Sequence, residues 1–380
     1  MAALRPVLKP DGALSRGSSL EYFFRGSFLS FHSLQKYSVS MNLFELTRAL
    51  VDIESTTNRE QQVADFLFTQ LSFLAARTSG RLERIEVEPN RDNVFVCWGQ
   101  PIVTLSTHMD TVPPFFPSLE DADFIWGRGS CDAKGIIAAM IAAAEKLLDS
   151  RVTNFGLLFV VGEERNSAGA KVAAANPRGA RFLINGEPTE NQLALGTKGV
   201  LRYEITAHGK LAHSAYPELG HSAIHSLLDT LRAIRSIPLP EDPLFGPCTL
   251  NIGTIAGGRA PNVVADHAQA EIMFRTVCDP AEIRQGVLAA VAGRAEAREV
   301  LHAPALRLSA FDGLPTTVVA FATDIPTFNG AWGQPFLIGP GSIHLAHTAE
   351  ERIPKKQLSE AVEIYARMAK QLLATGGAQA

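Results

Sequence analysis

Residues 104–110 have the sequence TLSTHMD, a short apolar run that ends in a histidine and an aspartate. An ionised carboxylate is costly to bury unless it is paired or bound to a metal ion. Four other segments place an acidic residue or a histidine next to apolar residues in a similar way. They are 127–135 (GRGSCDAKG), 160–164 (VVGEE), 183–188 (LINGEP) and 345–348 (LAHT). Together the five segments predict a site for two metal ions.

The composition indicates a globular chain large enough for two domains. Its 380 residues are 46% hydrophobic, which is sufficient to fill two cores. The formal net charge of −4 gives no reason to expect nucleic acid or an anionic membrane as a partner. The longest apolar stretch, residues 136–148, includes Glu145 and Lys146 and is too short to span a bilayer. We therefore expect no nucleic-acid and no membrane partner.

The four cysteines form no C-x-x-C pair; they are Cys97, Cys131, Cys248 and Cys278. Their spacing argues against a disulfide framework and is typical of a reducing compartment, so we expect a cytoplasmic protein. Cys131 directly precedes Asp132 and has two interpretations, a soft metal ligand or a small buried neighbour. We favour the buried neighbour.

Residues 1–40 differ in composition from the rest of the chain. They contain five lysines and arginines against two acidic residues, and many serines and glycines. A transit peptide has this composition. The alternative, which we favour, is a disordered extension, with Met41 opening the folded domain.

Apolar spacing predicts alternating helices and strands in residues 41–197. The predicted helices cover 43–53, 60–76, 133–148 and 168–175, and the predicted strands cover 94–97, 102–106, 155–161 and 182–184. This order is typical of an α/β fold with a mostly parallel sheet and helices on both faces. In such sheets ligands bind beyond the carboxyl ends of the strands. His108, Glu163, Glu164 and Glu187 lie at the ends of predicted strands.

The pattern changes near residue 198. Strands are predicted over 201–207, 249–255 and 268–276, with helices over 222–237 and 281–297. This order predicts a small α+β domain with one exposed sheet face. The main sheet resumes after about residue 303, and a helix over 356–373 closes the chain. The predicted division is 41–197 and 304–380 for the larger domain, with 198–303 inserted in it.

The acidic and histidine residues have local chemical interpretations. His108 and Asp110 are two apart on an extended segment, so Asp110 can accept the second ring N–H of a metal-bound His108. A hydrogen-bonded core histidine is the alternative. Glu163 and Glu164 repel each other unless a cation separates their roles, one binding metal and the other moving a proton. Residue chemistry alone does not decide which of the two glutamates has which role. The alternative is that both are surface charges on a solvated loop.

Taken in order, the segments resemble the zinc-dependent aminoacylase and carboxypeptidase family. This family includes acetylornithine deacetylase, succinyl-diaminopimelate desuccinylase, carboxypeptidase G and dipeptidase V-like enzymes. The likeness runs from about residue 41 to residue 373. The motifs that carry it are STHMDTVP at 106–113, GRG through KG at 127–135, EE at 163–164, GEP at 186–188, and His347.

The resemblance implies a zinc-peptidase-like catalytic domain that holds two divalent ions, with Asp132 bridging them. It assigns His108 and Glu187 to one ion, and Glu164 and His347 to the other. Glu163 becomes the general base and acid, and Asp110 the partner of His108. His344 competes with His347, but the latter matches the family's closing motif. Zinc is the expected metal, with cobalt and manganese as alternatives because all three suit mixed nitrogen and oxygen ligands.

The inserted domain is similar to the family's lid and dimerisation domain. The resemblance implies a homodimer in which His213, in the segment HGKLAHSAYP at 208–217, stabilises the oxyanion in the neighbouring subunit's site. Asn262 and Arg275 resemble residues that hold the substrate, and Lys198 is a weaker candidate for that role. The alternatives are a turn histidine for His213 and a strand ion pair for Arg275.

The implied reaction is hydrolysis of an amide bond by metal-activated water. We expect the substrate to be an N-acyl amino acid, as for acetylornithine deacetylase. Such an activity would belong to amino acid metabolism. The alternative is an exopeptidase or dipeptidase that acts on short peptides. A rival from another class is a non-catalytic dimeric binding protein of the same fold, which is disfavoured because every ligand and the base are present.

Overall fold

The computed structural model describes residues 41–376. The prediction for residues 1–40 lies outside this range. The helices described are α1 Leu43–Val51, α2 Gln61–Thr78, α3 Lys134–Asp149, α4 Ala168–Ala175, α5 Ala223–Arg235, α6 Ala281–Val291, α7 Ile325–Phe328 and α8 Lys355–Gly376. Among them, none combines the length and apolar character needed to cross a bilayer.

The larger sheet is built on buried apolar strands. Its strands are β1 Arg81–Glu88, β2 Arg91–Trp98, β3 Val103–His108, β6 Phe155–Val160, β7 Phe182–Asn185, β8 Leu193–Thr197, β15 Leu306–Arg307, β16 Thr316–Val319 and β17 Gln334–Leu337. They lie in the order β1-β2-β6-β3-β7-β17-β8-β15, with β16 also paired to β8. The central strands β6, β3, β7 and β17 run parallel, and antiparallel strands flank them. Every residue of β3 and β6 is buried, as expected for strands covered on both faces.

Helices cover both faces of this sheet. On one face α1, α2, α3 and α8 enclose the main core, which includes Leu50, Leu67, Ile137 and Tyr365. On the other face α4 and α7 pack over a second core that includes Leu158, Leu183 and Phe328. In α3 most residues are buried, and its alanines let the helix lie close to the sheet.

A separate antiparallel sheet forms the smaller domain. Its strands are β9 Gly199–His208, β12 Thr249–Gly257, β13 His267–Thr276 and β14 Glu296–Ala303, in the order β12-β13-β9-β14. Burial alternates along β9 and β13, and α5 and α6 share a core with the buried side chains. The chain leaves the larger sheet at Thr197 and returns to it at Leu306. The predicted fold class is confirmed.

Short elements complete the described chain. β4 Leu119–Glu120, β5 Phe124–Trp126 and β18 Arg352–Pro354 form a small sheet, and β10 Glu241–Asp242 pairs with β11 Gly246–Pro247. A 3-10 helix covers Pro217–Leu219.

Two predicted features differ from the structure. The helix predicted over 281–297 ends at Val291, and β14 begins at Glu296. Gly293 lies between them with a φ of +71°, a left-handed conformation that ends a helix despite the alanine-rich sequence around it. The sequence pattern also predicts no strand over β1, whose charged sequence RLERIEVE includes a single buried residue.

Candidate metal centre

The topology of the sheet brings the predicted ligands together. His108 is the last residue of β3, Glu163 and Glu164 follow β6, and Glu187 follows β7. Because β6, β3 and β7 are parallel neighbours, their carboxyl ends meet at one edge. Asp132 lies two residues before α3 begins, and this puts it at the same edge.

Five side chains form two groups with metal-ligand geometry. His108, Asp132 and Glu187 form one group, in which all three residues are buried. Asp132, Glu164 and His347 form the other. Within each group the ligand atoms lie within 4.8 Å of one another, and Asp132 belongs to both. This is the arrangement that the family resemblance implied.

The two oxygens of Asp132 face different histidines. Oδ1 lies 2.9 Å from Nε2 of His108, and Oδ2 lies 3.4 Å from Nε2 of His347. Nε2 of His347 is also 3.0 Å from Oε1 of Glu164. A carboxylate that presents one oxygen to each group can bridge two ions.

The electrostatics of the cluster fit a pair of cations. Burial raises the pKa of Glu163 and Glu187 well above the ordinary value, and it raises the pKa of Glu164 less. Burial also acts to raise the pKa of Asp132, but hydrogen bonds with His108 and His347 outweigh it and lower the net value. Several carboxylates are thus held as a group where their charge is unfavourable. Divalent ions would stabilise that charge, and histidine nitrogen with carboxylate oxygen is a ligand set that zinc accepts.

His347 adopts an unusual backbone conformation. Its φ is +65°, which few residues other than glycine adopt. Hydrogen bonds with Asp132 and then Glu164 raise the pKa of His347 to about 10. A metal ion would have to displace that proton, so the site binds metal in competition with protons. His344 is exposed and belongs to neither ligand group.

Asp110 organises the turn that carries both glutamates. Its side chain is fully buried and accepts hydrogen bonds from the backbone N–H of Glu163 (3.0 Å), the backbone N–H of Glu164 (3.3 Å) and the hydroxyl of Thr57 (2.8 Å). The ring Nδ1 of His108 lies 3.0 Å from the backbone oxygen of Asp110 and 3.5 Å from its carboxylate. The backbone oxygen, rather than the carboxylate, is therefore the closer partner of the histidine.

Glu163 is placed so that its carboxylate stays available. Gly162 precedes it with a φ of +79°, and a Cβ there would lie 2.9 Å from a guanidinium nitrogen of Arg91. Within residues 41–376 the Glu163 carboxylate makes no hydrogen bond or ion pair, while Glu164 contacts His347. The carboxylate of Glu163 is thus unpaired and that of Glu164 is paired; which of the two transfers the proton stays a prediction.

Cys131 lies beside the centre as a thiol. It is fully buried, and its Sγ donates to the backbone oxygen of Ser342 at 3.3 Å. Burial raises the pKa of Cys131 well above its usual value, which favours the protonated form. It belongs to neither ligand group. The geometry agrees with the interpretation as a small buried neighbour.

The predicted lid residues belong to neither ligand group. His213 and Asn262 are both exposed and adjacent, since the Ser214 N–H donates to the Asn262 backbone oxygen at 3.0 Å. Lys198 donates from Nζ to the backbone oxygen of Pro247 at 2.7 Å. In the described part of the chain, no hydrogen bond or ion pair joins these residues or Arg275 to the metal ligands.

Sequence analysis gave no role to two buried residues beside the ligands. Glu351 and Arg128 are 1% and 2% exposed and form an ion pair next to the segment of Asp132. The sequence offers a weak signal for Glu351, namely an acidic pair shortly after His347. It contains nothing that distinguishes Glu351 from Glu350.

Comparison with known proteins identifies the family. Residues 104–371 match the model of Peptidase family M20/M25/M40. The chain belongs to this family. The resemblance stated from the sequence motifs is therefore confirmed, and the chain is a metallohydrolase of the M20 type.

Two curated relatives extend this result. A peptidase M20 domain-containing protein of Schizosaccharomyces pombe is 40% identical over 339 residues, covering 86% of this chain and 84% of that protein. A protein of Aspergillus terreus named "Probable carboxypeptidase" is 36% identical over 368 residues and covers 84% of both chains.

Solved structures share the fold of this M20 chain. An M20 family metallo-carboxypeptidase from Sulfolobus solfataricus has a TM-score of 0.70 at 15% identity, covering 87% of this chain and 99% of that one. A dinuclear metal binding peptidase of the M20 family from Bacillus subtilis has a TM-score of 0.61 at 16% identity, covering 87% of this chain and 97% of that one.

Proposed function

We propose that this M20 protein is a metal-dependent carboxypeptidase that removes the C-terminal residue from short peptides. The names of its curated relatives support this choice. They favour the exopeptidase alternative over the N-acyl amino acid deacetylase that sequence analysis preferred. The observation that carries the proposal is the ligand cluster around Asp132, with the free carboxylate of Glu163 beside it.

Arg275 supports a substrate with a free carboxylate. It lies on β13, is partly buried, and has no ion-pair partner within residues 41–376. Burial lowers its pKa from the ordinary value, as expected for a guanidinium without a counter-charge. An arginine can hold a carboxylate through two parallel hydrogen bonds, so Arg275 is suited to bind the C-terminus of a peptide.

In the proposed reaction the metal ions and Glu163 have different roles. Divalent ions at the ligand cluster would supply Lewis-acid activation of water and of the scissile carbonyl. The Glu163 carboxylate accepts a proton as water attacks the carbonyl carbon. It returns that proton to the amine nitrogen as the C–N bond breaks. We propose zinc as the metal, with cobalt and manganese as alternatives.

We also propose that two chains pair through the smaller domain. Strand β12 lies at the edge of its sheet, is largely exposed and contains no charged residue. Ile255 on this strand is 58% exposed. Both edge strands have a bulge, but within the described chain only the opposite edge, β14, also carries ion pairs, Arg284–Glu299 and Arg298–Glu204, and charged side chains protect an edge from pairing. The open edge therefore suits pairing with a second copy of the chain. His213 of each chain would then reach the candidate site of the other.

A substrate panel on metal-reconstituted protein tests the proposed function. It should include dipeptides, tripeptides, the same peptides amidated at the C-terminus, and N-acetylated and N-succinylated amino acids. We expect cleavage of the free peptides, with the Glu163→Gln variant inactive under the same conditions. Faster turnover of N-acyl amino acids would favour the deacetylase. A wild-type chain without activity on either class would contradict the proposal.

A further inference from the structure

Glu351 makes an unusual set of contacts with the segment before α3. One carboxylate oxygen, Oε1, accepts hydrogen bonds from the backbone N–H of Gly129 (2.8 Å), Cys131 (3.3 Å) and Asp132 (3.3 Å). The other, Oε2, accepts from the guanidinium of Arg128. The backbone oxygen of Glu351 accepts a further bond from the Gly127 N–H at 3.0 Å. One residue thus holds a six-residue segment through both its side chain and its backbone.

These contacts need a particular loop conformation. Gly129 has a φ of +85°, and a Cβ at that position would lie 2.8 Å from the side chain of Thr111. Successive amides that point inward in this way form a concave site for an anion, which the Glu351 carboxylate fills. Because the carboxylate is only 1% exposed, water cannot replace it as an acceptor.

Arg128 completes the cluster. It is 2% exposed, donates from Nε to the backbone oxygen of Pro114 at 3.2 Å, and stacks on Phe116 with 4.9 Å between Cζ and the ring centre. Its charge is therefore fixed in place beside Glu351. The buried carboxylate has a counter-charge that cannot move into solvent.

Both ends of this connection lie beside metal ligands. Glu351 follows His347 by four residues, and its carboxylate binds the backbone of Asp132 itself. Asp132 is the one side chain shared by the two ligand groups in the described chain. A shift of its backbone would therefore disturb both groups, whereas a shift of Glu187 or Glu164 would disturb only one.

We propose that Glu351 is a positioning residue that sets the place of the bridging carboxylate of Asp132. This inference rests on the proposed two-metal centre. It predicts a distinctive result, namely that loss of Glu351 weakens the binding of both ions together. A residue that only stabilised the fold would lower the unfolding midpoint and leave metal affinity unchanged.

The experiment compares Glu351→Gln with two controls. Glu350→Gln removes a neighbouring carboxylate whose side chain is 78% exposed and whose ion pair with Arg352 spans 3.8 Å. Leu67→Ala removes a fully buried side chain from α2 and lowers stability through a cavity far from this segment in sequence. Glu351→Asp, which keeps the charge but shortens the side chain, covers the case in which Glu351→Gln does not fold.

The metal-free full-length proteins are titrated with Zn²⁺ by calorimetry, and unfolding midpoints are measured in parallel. We expect Glu351→Gln to weaken both binding steps by about 10- to 100-fold, with Glu351→Asp affected in the same direction at both steps. Glu350→Gln and Leu67→Ala should bind both ions as the wild type does.

Two results would overturn the inference in different ways. Wild-type affinity at both steps in Glu351→Asp or Glu351→Gln, or weakening of one step alone, would reject the positioning role and leave the metal centre intact. A wild-type chain that binds no Zn²⁺ would reject the proposed centre, and the inference with it.

Discussion

The carboxylate of Asp110 accepts a hydrogen bond of 3.0 Å from the backbone N–H of Glu163. Sequence analysis assigned Asp110 to His108 alone, but the structure gives it a second task, the placement of the proposed proton-transfer residue. The same carboxylate accepts the N–H of Glu164 at 3.3 Å, so it also positions a proposed metal ligand. One buried group thereby links the strand of His108 to the turn after β6.

The Asp110→Asn variant tests this link. An asparagine amide presents an N–H group that would face a backbone N–H of the turn, because one of its two terminal atoms is a donor. We expect kcat/KM to fall by about 10- to 100-fold, as for other groups that orient metal ligands. Asp312→Asn, at an exposed loop position, is the matched control and should retain activity. Unchanged kinetics in Asp110→Asn would contradict the role.

Arg275→Lys tests the recognition of the substrate carboxylate. Lysine keeps the charge but cannot form two parallel hydrogen bonds, so we expect KM for free peptides to rise by about 10- to 100-fold. Peptides amidated at the C-terminus should be affected much less. Arg202→Lys, on the neighbouring strand and partly exposed, is the control. An equal loss on free and amidated peptides would show that Arg275 does not hold the carboxylate.

Ile255→Lys tests pairing of two chains through β12. A charge placed on this edge strand should oppose sheet extension, so we expect a monomer in sedimentation experiments. Leu288→Lys, on α6 at 61% exposure, is the control and should remain dimeric. If His213 acts across subunits, mixing the inactive Glu163→Gln and His213→Ala chains should restore activity. An Ile255→Lys variant that remains dimeric would contradict pairing through β12. An Ile255→Lys monomer with full activity would contradict a role for His213 across subunits.

The burial of Lys134 should make the free energy of unfolding depend on pH. Its side chain is fully buried and donates to the backbone oxygen of Ile53, and burial lowers the pKa of Lys134 to about 7. An unfolded lysine titrates near pH 10.4, so between these values the unfolded state binds more protons and stability rises with pH. The slope from this one group is at most about 1.4 kcal/mol per pH unit.

The measurement compares wild type with Lys134→Met in a metal chelator, by chemical denaturation from pH 6.5 to 9.5. We expect the free energy of unfolding of the wild type, relative to the variant, to increase with pH across this range. A constant or decreasing difference would show that Lys134 keeps an ordinary pKa in the folded protein.

The periodic elements of the fold were accessible from the sequence because their burial is one-sided or complete. The helix predicted over 168–175 coincides with α4, and the runs 155–161 and 182–184 match β6 and β7 closely. The charged edge strand β1 was missed because it has little apolar patterning. The break at Gly293 was missed because helical spacing continues through it.

The candidate site was predictable from strand ends and from the family's motifs, which alone pointed to Asp132 and His347. His108, Glu164 and Glu187 follow strands whose parallel order brings them together. Glu350 and Glu351 are adjacent residues of the same type, and the sequence does not distinguish them. In the structure Glu350 is exposed, whereas the carboxylate of Glu351 accepts a hydrogen bond from the backbone of Asp132. Under the proposed function, a bound peptide would set the position of Arg275 relative to the substrate, and a second chain would set that of His213. No pattern in one chain encodes either position.

Metal stoichiometry tests the central claim most directly. We expect the metal-free wild-type chain to bind two Zn²⁺ ions and to gain peptidase activity as they bind. Asp132→Ala should remain folded yet lose high-affinity binding of both, because its carboxylate serves both ligand groups. A wild-type chain that is fully active with fewer than two ions, or an Asp132→Ala variant that binds both tightly, would contradict the account.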